Sequence, residues 1–382
     1  MRPDRRQRRP AAVKLDTPSQ RKFADAKHSL HVPALQSDDG NRSENPMSTE
    51  RRRDLALAAL ASATLGLAGC GGGGSGATDP PPFDNTQRSL AAATTASSST
   101  NACAPIRPFY WELGDASGRL ASASVDSASS ALHYVATTVM GIASASKWLY
   151  GAYVVERRGA AGLNADDVEF LTFRSGYTRF TTCLPGQTVD ACVAYSTNGD
   201  YIAATDGKFL YGGGHMQMHA SRLGLGPLDS AALAAELRSQ LGSDIALSYS
   251  QPQLAGGVRT DADDYARFLR KLLSGALRMG AALGTNPVCT NPQTCSTALG
   301  TPVPASESWH YSIGHWVEDD PVVGDGAFSS AGKFGFYPWI AHDKAWWGIL
   351  ARDVKSGDEQ EGVASMKCGR RIRAAWVAGQ TH

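Results

Sequence analysis

Apolar side chains recur at helical spacing most clearly between Thr260 and Gly275. Tyr265, Phe268, Leu269, Leu272 and Leu273 fall on one face of a helix. Thr260 and Asp263 form a capping-box-like start, and Gly275 closes the run. Asp261, Asp263 and Asp264 read as acids at the positive helix end. The same reasoning predicts a helix opening near Ser144 and running through Trp148, Leu149, Val154 and Val155 to Arg157–Gly159. Others are expected over Leu163–Phe173, Asp229–Leu241 and about Gly362 to Ala378. Strand-like runs lie elsewhere. Phe109–Leu113 and Arg119–Val125 flank a Gly/Asp/Ser turn, as in a hairpin. Trp309–Val317, Phe334–Ile340 and Trp346–Ala351 are aromatic and separated by turns, as in an antiparallel meander. Trp346 and Trp347 alternate, so one ring is expected on each sheet face. The order predicts an α+β fold: an antiparallel sheet built from both chain ends, flanked by helices, with a mostly helical subdomain.

The chain has 382 residues, 42% hydrophobic, with eight Trp, enough for one large globular domain. Its net charge of +1 offers no argument for nucleic acid. Residues 1–46 are basic and aperiodic, so they are expected to be disordered, ahead of a second start at Met47. Residues 47–70 read as a lipoprotein signal peptide: Arg51–Arg53, a short apolar run, then Leu67-Ala68-Gly69-Cys70. Cys70 is the expected lipidation site, which would anchor the chain to a bacterial envelope membrane and face the domain to the periplasm. Residues 71–102 read as a flexible tether, and 103–382 as the folded domain. Six further cysteines suit an oxidising compartment. Spacing favours Cys183–Cys192 and Cys289–Cys295, leaving Cys103 with Cys368. No Cys-x-x-Cys or Cys-x-x-His spacing calls for a metal.

Candidate chemistry begins at Gly141–Tyr150, GIASASKWLY. Ser144 and Lys147 are three residues apart, so on a helix the amine lies one turn from the hydroxyl. Ser-x-x-Lys alone occurs by chance in most chains of this length, and what accompanies it decides the reading. In order come Phe173-Arg174-Ser175-Gly176, Phe209-Leu210-Tyr211-Gly212-Gly213, Ala255 to Asp264 and Gly332-Lys333-Phe334-Gly335. With Ser144–Lys147, this series resembles the serine β-lactamase-like superfamily, in its branch of class C β-lactamases, D-Ala-D-Ala carboxypeptidases and family VIII esterases.

The resemblance covers Phe109 to the C-terminus and carries these implications. Ser144 would be the acylated nucleophile and Lys147 its base. Lys333 would be the second cation, lowering the lysine pKa and steering substrate. Tyr211 would relay the proton; Tyr195, one residue out of register with its Asn, is the weaker candidate. The oxyanion hole would be the amides of Ser144 and Phe336. Gly213, Phe334, Gly335 and His215 would border the substrate. Two departures stand out. Gly213 replaces the Asn of Tyr-x-Asn, and Phe334 the Thr of Lys-Thr-Gly. Both remove polar anchors for a β-lactam or a D-Ala carboxylate.

His215 and His219 share the spacing of a zinc-protease helix, but Met216 stands where that chemistry needs a glutamate. His342-Asp343 reads as a turn, and no Gly-x-Ser-x-Gly elbow occurs. The expectation is a monomeric, cofactor-free serine hydrolase acting on a small ester, amide or peptide. The rivals are a β-lactamase or D-Ala-D-Ala carboxypeptidase, and a catalytically silent protein binding cell-wall peptide or a partner.

Overall fold

The computed structural model describes residues 84–382. The segment 1–46, the signal peptide with Cys70 and the first part of the tether lie outside the described residues. Among the described residues no helix is long and apolar enough to cross a membrane.

The strand-like runs assemble into one eight-stranded sheet. Its spatial order is Arg119–Val125, Phe109–Asp115, Trp346–Ala351, Tyr337–Ile340, Ala327–Ser329, Trp316–Glu318, His310–Tyr311 and Val288–Cys289, every neighbour antiparallel. Both chain ends therefore build it, as the pattern predicts. Trp346–Ala351 is buried at every position, which its unbroken apolar composition allows. Trp346 faces Trp376 of the C-terminal helix, Glu359–Ala378. The next ring, Trp347, lies over Gly114 and donates to the Asp115 carbonyl at 2.9 Å. A side chain at Gly114 would collide with that ring, so the close approach of indole and backbone requires glycine there. A smaller sheet of Met140–Gly141, Val258–Thr260 and Ser248–Tyr249 carries the chain into the helical part. Phe209–Leu210 pairs in parallel with Ala298–Gly300.

The amphipathic stripe at Tyr265 forms the helix Ala262–Leu273, capped by Asp261, whose carboxylate accepts from the Asp264 amide. Its apolar face is buried. Ser146–Arg158 ends where Gly159 takes a positive φ, with Arg157 and Arg158 in the last turn.

Three expectations are corrected. Residues 85–96 are not tether. Asp84 caps the helix Asn85–Ala96, which packs against the C-terminal helix. Its buried face is Ala91, Ala92, Thr95 and Ala96, so small residues permit close approach without an obvious apolar stripe. The C-terminal helix begins at Glu359, three residues before the expected Gly362. Cys103–Cys368 and Cys183–Cys192 are disulfides, but Cys289 and Cys295 are free thiols. Cys289 is held in an edge strand opposite His310, and Cys295 in a turn on Asn291. The two thiols lie within hydrogen-bonding reach of each other, and Cys295 Sγ lies 3.1 Å from Thr297 Oγ1.

The C-terminal helix is clamped to the sheet by a buried charge network. Glu318, fully buried, accepts from Tyr337 Oη at 2.5 Å, Arg370 Nε at 3.0 Å and Arg373 Nη2 at 2.9 Å. Burial alone would raise its pKa, but Arg373 and Arg370 outweigh burial and hold it at about 2. Its contribution is therefore present above the ordinary value of 4.5 and is lost as pH falls toward 2. Replacing Glu318 with Ala leaves Arg373 with only Asp325 and the partly buried Arg370 with only Glu307 as carboxylate partners, and is expected to lower unfolding free energy by about 3 kcal/mol. Urea titration at pH 7 checks the loss, and the difference from wild type should shrink as pH approaches 2.

Candidate active site

Strand, turn and helix meet at Ser144. Met140–Gly141 pairs with Arg259–Thr260, and Ile142 N–H donates to the Val258 carbonyl at 3.1 Å. Ala143 then takes φ 43°, an uncommon left-handed conformation for a residue with a Cβ. The turn Ala143–Ala145 is 3₁₀, and the α-helix starts only at Ser146. Ser144 thus sits on a tight turn ahead of the helix rather than inside its first turn. Three bonds pin that turn. Ser330 Oγ donates to the Ser144 carbonyl at 3.0 Å, Tyr265 Oη to the Ala145 carbonyl at 3.0 Å, and Val258 N–H to Ser146 Oγ at 3.2 Å.

Lys147 reaches back from the helix. Its Nζ lies 2.8 Å from Ser144 Oγ and donates to the Ala255 carbonyl at 2.8 Å. Both side chains are buried, with Lys147 only 5% exposed. Burial lowers the lysine pKa to about 7; the Glu359 charge opposes that fall and Lys333 adds to it. A large fraction of Lys147 is therefore a neutral amine at pH 7. Tyr211 stands opposite. Its amide donates to the Gly300 carbonyl at 3.1 Å, and its ring stacks on Trp316 at 5.2 Å. The hydroxyl is within hydrogen-bonding reach of Ser144, and Lys147 Nζ lies 4.7 Å from the ring centre. Burial raises the phenol pKa, so it holds its proton. The trio can move a proton off Ser144 and return one nearby.

A cavity of about 550 Å³ opens onto this trio. Its wall includes Gly213, Phe180, Thr182, Gln253, Lys333 and Phe334. Phe180 explains the missing Asn of Tyr-x-Asn: a Cβ at Gly213 would lie 2.9 Å from the Phe180 ring. The segment leading into the Cys183–Cys192 loop therefore fills that space. Asn198, beyond Tyr195, has a structural task. Its side chain brackets the loop, accepting from Thr181 N–H at 2.8 Å and donating to the Thr182 and Cys192 carbonyls at 2.9 Å. Tyr195 does not border the cavity.

The Lys333 segment departs from expectation. The strand starts at Tyr337, and residues 332–336 form a turn closed by Gly335 N–H on the Gly332 carbonyl and Gly332 N–H on the Phe336 carbonyl, both 2.8 Å. Lys333 and Phe334 occupy the tip and border the cavity, with Lys333 Nζ 5.2 Å from the Phe334 ring centre. Gly335 turns back against Arg352, and Phe336 is buried against Tyr265 at 5.3 Å. Neither Gly335 nor Phe336 is among the residues lining the cavity.

His215 is also corrected. It lies on the inward face of the helix Gly214–Ala220, fully buried, and does not border the cavity. Nε2 donates to the Leu210 carbonyl at 3.1 Å, so Nδ1 accepts from Ser175 Oγ at 2.8 Å. Burial holds its pKa at about 4, and the neutral ring supports the turn carrying Tyr211. His219 bonds elsewhere, to Asp167 at 3.0 Å and Tyr150 at 3.1 Å. Among the described residues no His/Cys/Asp/Glu group could hold a metal. The sequence reading missed Arg259, Asp353, Lys355 and Glu359 at the cavity wall. Only the Arg259 motif was legible; the others sit on a junction whose path is tertiary.

If burial and Lys333 together depress Lys147, NMR titration of labelled lysine side chains will show one amine changing state near 7. Lys333→Ala will move that titration upward by removing a repelling charge.

No protein-family model matches the chain, and no curated protein does. Solved structures do match in fold. Simvastatin synthase (LovD) from Aspergillus terreus superimposes with a TM-score of 0.52 at 13% identity, covering 76% of this chain and 99% of the other. D-amino acid amidase from Ochrobactrum anthropi SV3 gives 0.53 at 12% identity, with 76% and 99% covered. The octameric penicillin-binding protein homologue from Pyrococcus abyssi gives 0.52 at 12%, with 73% and 76% covered. The chain has the β-lactamase-like, penicillin-binding-like fold.

Proposed function

We propose that this chain is a serine hydrolase that cleaves an ester or amide through an acyl-enzyme on Ser144. The observation that carries the reading is the buried Lys147 amine, 2.8 Å from Ser144 Oγ, with its pKa lowered to about 7. Neutral Lys147 accepts the Ser144 proton as Oγ bonds to the substrate carbonyl carbon. The negative oxygen is met by the Ser144 N–H. Tyr211 gives its proton to the leaving group and regains one from Lys147. Water then repeats the sequence on the acyl-enzyme. A neighbour of the same fold named as a D-amino acid amidase is in keeping with amide cleavage in such a scaffold.

An ester or amide outside the β-lactams is favoured over a β-lactam. Phe180 fills the space beside Gly213, and Phe334 stands at the tip, so two polar anchors are replaced by aromatic rings. The two disulfides support an oxidising compartment, in keeping with our proposal of a lipid-anchored, periplasm-facing protein.

A fluorophosphonate probe and penicillin, with adducts located by peptide mass spectrometry, separate the readings. Fluorophosphonate is expected on Ser144, with labelling abolished in Ser144→Ala and no stable penicilloyl adduct. Stable penicilloylation would instead mark a penicillin-binding protein, and an unlabelled Ser144 a silent binder. The rate of labelling should rise with pH through about 7, because the base acts only when neutral. A rate flat between pH 5 and 9 would remove Lys147 from that role.

A further inference from the structure

We propose that Glu359 reads a positively charged group on the substrate, so that the chain acts on esters or amides carrying a free amine on a short apolar stem. The inference rests on the serine-hydrolase reading above and names the substrate class for that site. Three acids open the C-terminal helix, and two are committed to structure. Asp358 caps the helix by accepting from Gln360 N–H at 2.9 Å. Glu361 pairs with Arg352 at 2.6 Å. Glu359 makes no hydrogen bond or ion pair among the described residues, yet it borders the cavity that holds Ser144, Lys147 and Tyr211.

Of the four cations on the wall, Lys147, Arg259, Lys333 and Lys355, none forms an ion pair with it. Asp353 is coupled to Lys355 and Arg259, a separate group at the Val258–Thr260 side. Lys333 stands over the Phe334 ring and forms no ion pair with Glu359. The Glu359 charge acts instead on Lys147 and Tyr211. An unpaired carboxylate here favours protonated Lys147 and works against the base. A substrate cation beside Glu359 would cancel that effect, so binding the right substrate would release the amine for its task.

Glu359 and Tyr211 also border a second, apolar recess of about 30 Å³, lined by Val303, Trp309, Trp316 and Met366. That is roughly room for one methyl or methylene group. An ammonium on a short alkyl stem would place its charge at Glu359 and its carbon in the recess. Gly213 and Phe334 contribute no polar side chain to the wall, and Glu359 is the carboxylate that, with Tyr211, borders both the cavity and the recess.

The test compares matched substrates in which an ammonium is replaced by a methyl group, on either side of the scissile bond. Alanine p-nitroanilide, each enantiomer, is set against isobutyryl p-nitroanilide, and 2-aminoethyl acetate against propyl acetate. The expected result is a kcat/KM about five- to tenfold higher for the cationic member of at least one pair. That preference should vanish in Glu359→Gln and invert in Glu359→Lys. Turnover of the neutral members with no cationic preference overturns this inference alone. So does a preference that survives Glu359→Gln, or a variant whose pH profile moves while the preference stays. Absence of Ser144-dependent turnover on every substrate overturns the hydrolase reading with it.

Discussion

An amine stripped of water beside a serine hydroxyl is the constraint on which the rest of this molecule turns. Lys147 can sit 5% exposed only because the surrounding chain supplies acceptors, the Ala255 carbonyl and Ser144 Oγ. Burying an ammonium costs several kcal/mol, and the amine avoids that cost by releasing its proton. Loss of charge is thus what makes burial tolerable, and in the proposed mechanism it is also what lets the lysine act as a base. The elements around it are arranged to keep solvent out: the helix Ala262–Leu273 behind the turn, the Trp316–Tyr211 stack in front, and the sheet beneath.

Rigidity around that pair comes from bonds to the turn's backbone and to Ser146 more than from the Ser144 and Lys147 side chains themselves. The positive φ of Ala143 persists because Ser330, Tyr265 and Val258 hold the turn from three directions. Tyr211 is held similarly. Its strand pairs with Ala298–Gly300, and neutral His215 ties the Leu210 carbonyl to Ser175. Because burial pushes the His215 pKa down to about 4, that support does not change charge where Lys147 titrates. Support and chemistry are thereby separated in pH.

The cavity owes its character to segments distant in sequence. Phe180 arrives from the segment before the Cys183–Cys192 loop, Phe334 from a sheet turn, and Glu359 from the start of the last helix. With Thr181, Thr182, Ser250, Gln251 and Gln253 they give the cavity a mixed wall of aromatic and polar side chains, marked by a carboxylate with no ion-pair partner among the described residues. Its walls also couple charge to the base, since Lys333 and Glu359 push the Lys147 pKa in opposite directions.

Local periodicity was enough to reveal the amphipathic helix at Tyr265, the fully apolar strand Trp346–Ala351 and the Ser144–Lys147 pair, because each depends on neighbours within a few residues. Tyr211 was legible through its motif and Cys183–Cys192 through spacing, whereas Cys103–Cys368 was only the pair left over. Other features were decided by packing across the chain. Asn85–Ala96 is helical because Ala92 and Ala96 meet the C-terminal helix, and alanines in isolation carry no apolar signal. The turn at 332–336 rotates Gly335 and Phe336 away and leaves Lys333 and Phe334 at the tip, a choice set by bonds to Gly332 and contact with Arg352. His215 faces inward because Leu210 and Ser175 need partners. Sequence alone determined which residue types carry the chemistry and roughly where the elements lie. Only the tertiary structure decided which of them face the cavity, because side-chain direction at a turn depends on what the backbone is bonded to across the fold.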